Sequence, residues 1–166
     1  MYSLDALDGQ IVVLFANHPR IGVLEASRRL GVARGTVQAR LDRMEAAGVI
    51  TSWSPSVDPE ALGFPVSAFA TLEIAQGTAS GTGGHEPVAS HLATIPEVLE
   101  AHTITGGADM MVRLVARSNA DLQRVIDEVL ASPKVSRAST VIVLATEIAP
   151  RVLPLVESAA PPAQLT

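Results

Sequence analysis

The 166-residue chain contains no cysteine, which excludes disulfides, thiol nucleophiles and cysteine-held zinc. Its four histidines, His18, His85, His91 and His102, are scattered without metal-ligand spacing, so neither a metal nor a cofactor is expected. Aromatics make up only 3% of the chain while 48% is hydrophobic. The cores must therefore be built from Ala, Val, Leu and Ile, and disorder is excluded over most of the length. The longest apolar stretches, Ala61 to Leu72 and Ala138 to Thr146, are too short to cross a bilayer, and no basic-then-apolar leader opens the chain. A cytoplasmic protein with no membrane partner is expected.

A net charge of -5 argues against indiscriminate nucleic-acid binding, but the charge is unevenly spread. Through Pro55 there are six arginines and five acids; beyond it five arginines and one lysine face twelve acids. The positive share is concentrated in Val23 to Ile50, VLEASRRLGVARGTVQARLDRMEAAGVI. This stretch reads as two short helices hinged at Gly31, a residue suited to a left-handed turn. In the second helix Val37, Leu41 and Met44 form an inward stripe. The other side offers Arg34, Gly35, Thr36, Gln38, Arg40 and Arg43, the small, polar and cationic surface that a helix entering the DNA major groove requires. Asp5 and Asp8 resemble a helix cap, and Leu7, Ile11, Leu14 and Phe15 supply the stripe of a preceding helix. Val49 to Val57, with its β-branched residues, Trp53 and Pro55, suits a short strand or wing after Gly48. The module is expected to be a winged helix-turn-helix of residues 1–57, followed by a linker of residues 58–64. Because the module is nearly neutral, more than one copy is needed for firm phosphate contact.

From residue 65 the pattern alternates. Val66, Ala68, Ala70, Leu72 and Ile74 share one strand face, ending in the run Gly77 to Gly84. Val88, Leu92 and Ile95 then mark a helix before Pro96, and Val98 to Thr105 and Met110 to Arg117 read as a hairpin joined by a glycine-containing turn. Ser118 and Asp121 resemble a capping box opening a helix of Leu122, Val125, Ile126 and Val129, and Val135 to Ile148 reads as a long strand. The order βαββαβ predicts a ferredoxin-like domain over 65–155, with 156–166 as a flexible tail, and an α+β fold overall. Two helices cover only one sheet face. Phe69, Met111, Val115, Val141 and Val143 would form the other, which a second copy can bury, so a homodimer is expected.

A helix-turn-helix followed by a βαββαβ domain resembles the Lrp/AsnC, or feast/famine, family of transcription regulators. The pieces that carry the resemblance are LDALDGQIVVLFANHPRIGVLEASRRLGV, RLDRMEAAGVI and ITGGADMMVRLVA, and it covers residues 4 to about 155. It implies double-stranded DNA as partner, dimers that can assemble into tetramers or octamers, and an amino acid or related metabolite as effector. The family's hairpin motif falls on Thr105, Gly106 and Asp109, with Gly107 and Ala108 departing from the acidic and aromatic residues often found between. Thr105, Gly106, Gly107 and Asp109 are thus the implied effector residues, Asp109 as acceptor for a ligand ammonium. Siroheme decarboxylases share this layout and supply an enzymatic alternative, against which the scattered histidines and the arginine-bearing helix speak. A third reading is an effector-binding protein without DNA contact. No catalytic residue is assigned.

Overall fold

The computed structural model describes residues 2–75 and 84–160, which fall into two compact units. The first comprises residues up to Pro55 together with the segment from Ile148 onward; the second spans Ser56–Glu147.

Three helices make the first unit's core: α1 (Ala6–Asn17), α2 (Val23–Leu30) and α3 (Arg34–Ala46). Asp5 caps α1 by accepting from the Asp8 amide, and the Asp8 carboxylate returns a bond to the Asp5 amide, closing a capping box. Gly31 ends α2 at φ 67°, a conformation in which a side chain would strain the backbone. The turn is closed by the Val32 amide donating to the Ser27 carbonyl at 3.1 Å. Ile11, Phe15, Ala26, Val37, Leu41 and Met44 interlock beneath it. Removing them from water supplies roughly 1.5–3 kcal/mol for each large side chain.

Two sequence expectations change here. No strand forms over Val49–Val57, and among the described residues all strands belong to the second unit. The helix-turn-helix therefore carries no β-wing: Trp53 instead packs edge-on against Phe15, ring centres 5.4 Å apart, and its Nε1 donates to Glu45 Oε1 at 2.7 Å. The C-terminal segment also differs from a domain ending at residue 155 with a tail beyond. It forms α6 (Leu153–Ala159), which groups with the first unit and packs on α1. The approach is close enough that a Cβ on Gly9 would lie 2.6 Å from the Ala160 Cβ, so only glycine fits there.

The second unit is the expected βαββαβ sandwich of one sheet and two helices. Strands β1 (Val66–Ile74), β2 (Val98–Thr103), β3 (Met110–Ala116) and β4 (Val135–Ile142) form an antiparallel sheet in the order β2-β3-β1-β4. Alternate residues of β1 and β3 point to the buried side, where α4 (His85–Leu92) and α5 (Asn119–Leu130) supply Val88, Leu92, Leu122, Val125 and Val129. Ser118 caps α5 by accepting from the Asp121 amide at 3.1 Å. Strand β4 stops at Ile142 rather than running to Ile148, although the Val143 amide still donates to Ser67. Strand β2 likewise ends at Thr103, not Thr105. The run read as Gly77 to Gly84 lies, except for its last residue, outside the described residues.

Among the described residues of the unit, no helix covers the sheet's other face. In register, Phe69 sits between Arg113 and Val141, and Thr71 between Met111 and Ser139. Val141 is 63% exposed and Phe69 36%, whereas Val115, expected on the same bare face, is buried.

Candidate functional site

Helix α3 has two flanks, and they treat charge differently. Toward α1, the buried carboxylate of Asp8 lies under the helix on the same inward side as Ile11 and Phe15. Burying an ionised carboxylate costs several kcal/mol unless it is paired and hydrogen-bonded, and here every requirement is met. Arg40 donates to Asp8 Oδ1 at 2.8 Å and also to Asp5. Arg43 reaches both Asp8 oxygens at 3.3 Å, and the Tyr2 hydroxyl donates to Oδ2 at 3.0 Å. Arg43 further donates to the Tyr2 hydroxyl and lies over its ring, 5.4 Å from the centroid. The Arg40 guanidinium holds the Asp5 carboxyl below the ordinary carboxylate range, and Asp5 and then Asp8 push Arg40 upward in turn.

Arg40 and Arg43, read from the sequence as groove residues, are thus engaged with the acids that start α1. Sequence reasoning took Asp5 and Asp8 only as a cap. The missed signal was positional: Asp8 lies three residues before Ile11 and seven before Phe15, on the helix stripe that enters the core, where a charge must find a partner.

The flank away from α1 is open. Gly35, Thr36, Gln38, Ala39 and Asp42 are exposed, with Arg34 in the first turn. Gln38 Nε2 donates to Asp42 Oδ1 at 2.7 Å. On α2, Glu25 pairs with Arg29 at 3.1 Å and with Arg28 at 3.8 Å, leaving those cations half-exposed or more at the surface.

In the second unit the β2–β3 turn gathers Thr105, Gly106, Gly107 and Asp109. The first three are exposed, and Gly106 takes φ 122°, which favours glycine. Asp109 does more than mark a turn. Its Oδ2 accepts from the Ile74 amide at 2.7 Å, its amide donates to the Leu72 carbonyl at 2.9 Å, and its carbonyl accepts from the Ile104 amide. One carboxylate oxygen is therefore committed to fastening the turn to the end of β1. Nearby on the bare sheet face, Arg113 donates to Glu100 at 3.0 Å and, with His102 contributing less, draws the Glu100 carboxyl below its usual range. The histidines do not converge: His91 Nε2 lies 2.8 Å from the Glu128 carbonyl, while His102 lies 3.5 Å from Glu100. Among the described residues no cluster of potential metal ligands forms, and no helix is long and apolar enough to cross a membrane.

Comparison with known proteins matches both units. Residues 4–45 fit the AsnC-type helix-turn-helix domain and residues 67–153 the Lrp/AsnC ligand binding domain. The HTH-type transcriptional regulator FL11 of Pyrococcus horikoshii is 32% identical over 92% of this chain and 97% of its own length. The regulatory protein AsnC of Escherichia coli is 28% identical over 89% of this chain and 94% of its own. The solved structure of E. coli AsnC superposes with a TM-score of 0.81 at 27% identity, covering 92% of this chain and all of that one. A feast or famine regulatory protein of Mycobacterium tuberculosis, solved with L-methionine, superposes at 0.78 with 25% identity, covering 90% of this chain and 98% of that one.

Proposed function

The chain belongs to the Lrp/AsnC family, and from that premise we propose that it is a cytoplasmic transcription regulator whose DNA binding responds to an amino acid. The observation that carries the DNA half is the anchoring of α3. A buried acid clamps one flank of the helix to α1, so the opposite flank, with Arg34, Gly35, Thr36 and Gln38, is held rigid and outward for the major groove. Arg40 and Arg43 act mainly by setting that helix; the exposed part of Arg43 can still add a phosphate contact.

The effector half rests on the turn of Thr105, Gly106, Gly107 and Asp109, supported by the methionine-bound relative. Asp109 holds the turn through Ile74 and presents its other oxygen to a ligand ammonium. The bare sheet face around Phe69 and Val141 receives a second copy, making a homodimer that brings two α3 helices to one operator. Further assembly to a tetramer or octamer would multiply the DNA contacts again. We place the chain with regulators rather than with tetrapyrrole decarboxylases because the named relatives are regulators and its histidines are dispersed.

The test is a mobility shift on the chain's own promoter, with an amino-acid panel added, for wild type and Asp109→Asn. Asparagine keeps an oxygen acceptor for the Ile74 amide but loses the charge. DNA binding should be equal in both proteins without ligand, and the response to the amino acid should weaken about ten-fold or more in the variant. No shift in wild type would overturn the regulator reading, and an undiminished response in the variant would remove Asp109 from the ligand site.

A further inference from the structure

The Gln38–Asp42 hydrogen bond lies on the open flank of α3, where an acid is electrostatically misplaced for a helix that approaches phosphates. Among the described residues, the ion pairs formed by α3 run from Arg40 and Arg43 to Asp5 and Asp8 and do not include Asp42. The partner of Asp42 is the Gln38 amide instead. An ionised carboxylate can only accept, so it must face the NH2 group and not the carbonyl oxygen of that amide. This fixes which way round the Gln38 amide stands.

A second observation points outward from the same surface. Gly35 opens the exposed side of α3 one turn below Ala39, yet nothing among the described residues calls for glycine there. It is not among the residues with positive φ, and a Cβ built on it would meet no atom within 4 Å. Glycine brings a helix no stability over alanine. A smooth strip at Gly35 and Ala39, beside Gln38, is explained by the close approach of something outside the fold.

Building on the DNA-binding reading, we propose that Asp42 is a positioning residue that makes Gln38 a reader of adenine. With one Nε2 hydrogen held by Asp42, Gln38 presents Oε1 to accept from adenine N6 and its other Nε2 hydrogen to donate to adenine N7. Cytosine offers only the N4 donor and so satisfies one of the two groups, and guanine places an acceptor opposite Oε1. The carboxylate weakens contact with every duplex and in exchange fixes which base is accepted at one position in each half-site.

Full-length wild type, Gln38→Ala, Asp42→Ala and Asp42→Glu can each be selected against a pool of duplexes with a randomised central segment. Affinity is then titrated on one random-sequence duplex. Wild type should enrich a two-fold-related sequence with adenine at one position per half-site, by about ten-fold over other bases. Gln38→Ala should lose preference at that position alone. Asp42→Ala should blunt the same position several-fold while binding the random duplex more tightly, because repulsion is removed; an acid that only repels phosphate would tighten binding and leave the base preference unchanged. Asp42→Glu, which keeps the carboxylate one turn away, should retain the adenine preference. An unchanged preference in Asp42→Ala, different positions affected by the Gln38 and Asp42 variants, or guanine or cytosine at the shared position would overturn the proposal. If wild type enriches no sequence and binds no duplex, the DNA-binding reading itself falls, an outcome separate from these.

Discussion

In the first unit a charge lies inside the core, while in the second, apolar side chains lie outside it. Asp8 is fully buried beneath α3 and answered by Arg40, Arg43 and Tyr2. Val141 and Phe69 stand on a sheet face that no helix among the described residues of their unit covers. Each departure from a simple oil-drop interior marks the function proposed for its unit. In the proposed function the buried acid stiffens the helix that would read DNA, and the bare face would join two copies. Removing one member of a buried ion pair strands the other charge in the core, whereas an apolar face contributes affinity for another surface.

The largest break in this comparison comes from charging the bare face. Val141→Asp would put an unpartnered charge from each copy into the proposed dimer interface, and burying each costs several kcal/mol. The variant should sediment as a monomer at micromolar concentration where wild type sediments as a dimer. A dimer of unchanged strength would mean that the face is not the interface.

A medium effect is expected at Gly9, which sharpens the membership of the first unit. In the full chain Gly9→Ala should destabilise the unit by about 1–3 kcal/mol, because the new methyl group meets Ala160 on α6. In a chain cut after Arg151, which removes α6, the same substitution should stabilise it by about 0.5–1 kcal/mol, as alanine normally does within a helix. Thermal melts of the four proteins test this reversal of sign; the same sign in both backgrounds would show that α6 does not rest on α1.

The smallest effect concerns acid. Arg40 lowers the Asp5 pKa in the folded state, so the pair contributes stability above the unfolded value of about 4, and this is lost as pH falls through the lower folded value. Asp5→Asn keeps the helix cap but removes the titration. Its stability should therefore fall less steeply than wild type below about pH 4, by no more than about 1 kcal/mol for so exposed a pair. Parallel acid limbs in denaturant melts would contradict the coupling.

How far the sequence reveals this arrangement follows from the range of the forces involved. The turn at Gly31, the inward stripe of Val37, Leu41 and Met44, and the alternation along β1 are local patterns, and each appears where the spacing implies. The anchor of α3 joins residues 32 and 35 positions apart, so periodicity alone shows three outward arginines where two are turned toward Asp8. No wing forms because β-branched residues favour a strand only when another strand is at hand, and Trp53 finds Phe15 instead. Helix α6 is seven residues long and has no side-chain cap, so its stability comes from docking on α1, which no local pattern reveals. The turn motif at Thr105 to Asp109 was legible, but the bond from Ile74 that occupies one oxygen of Asp109 spans 35 positions.

The division of labour among the arginines of α3 is the centre of the account, and Arg34→Ala beside Arg40→Ala tests it most directly. Melting temperature and affinity for the chain's own promoter would be measured on both, with binding read well below either melt. Arg34→Ala should melt like wild type and bind DNA about ten-fold more weakly, with the salt slope reduced by about one. Arg40→Ala leaves Asp8 short of its nearest cation; it should lose about 3 kcal/mol of stability and keep DNA affinity within a few-fold of wild type. The opposite pattern, an unchanged melt with lost DNA binding in Arg40→Ala, would contradict the account.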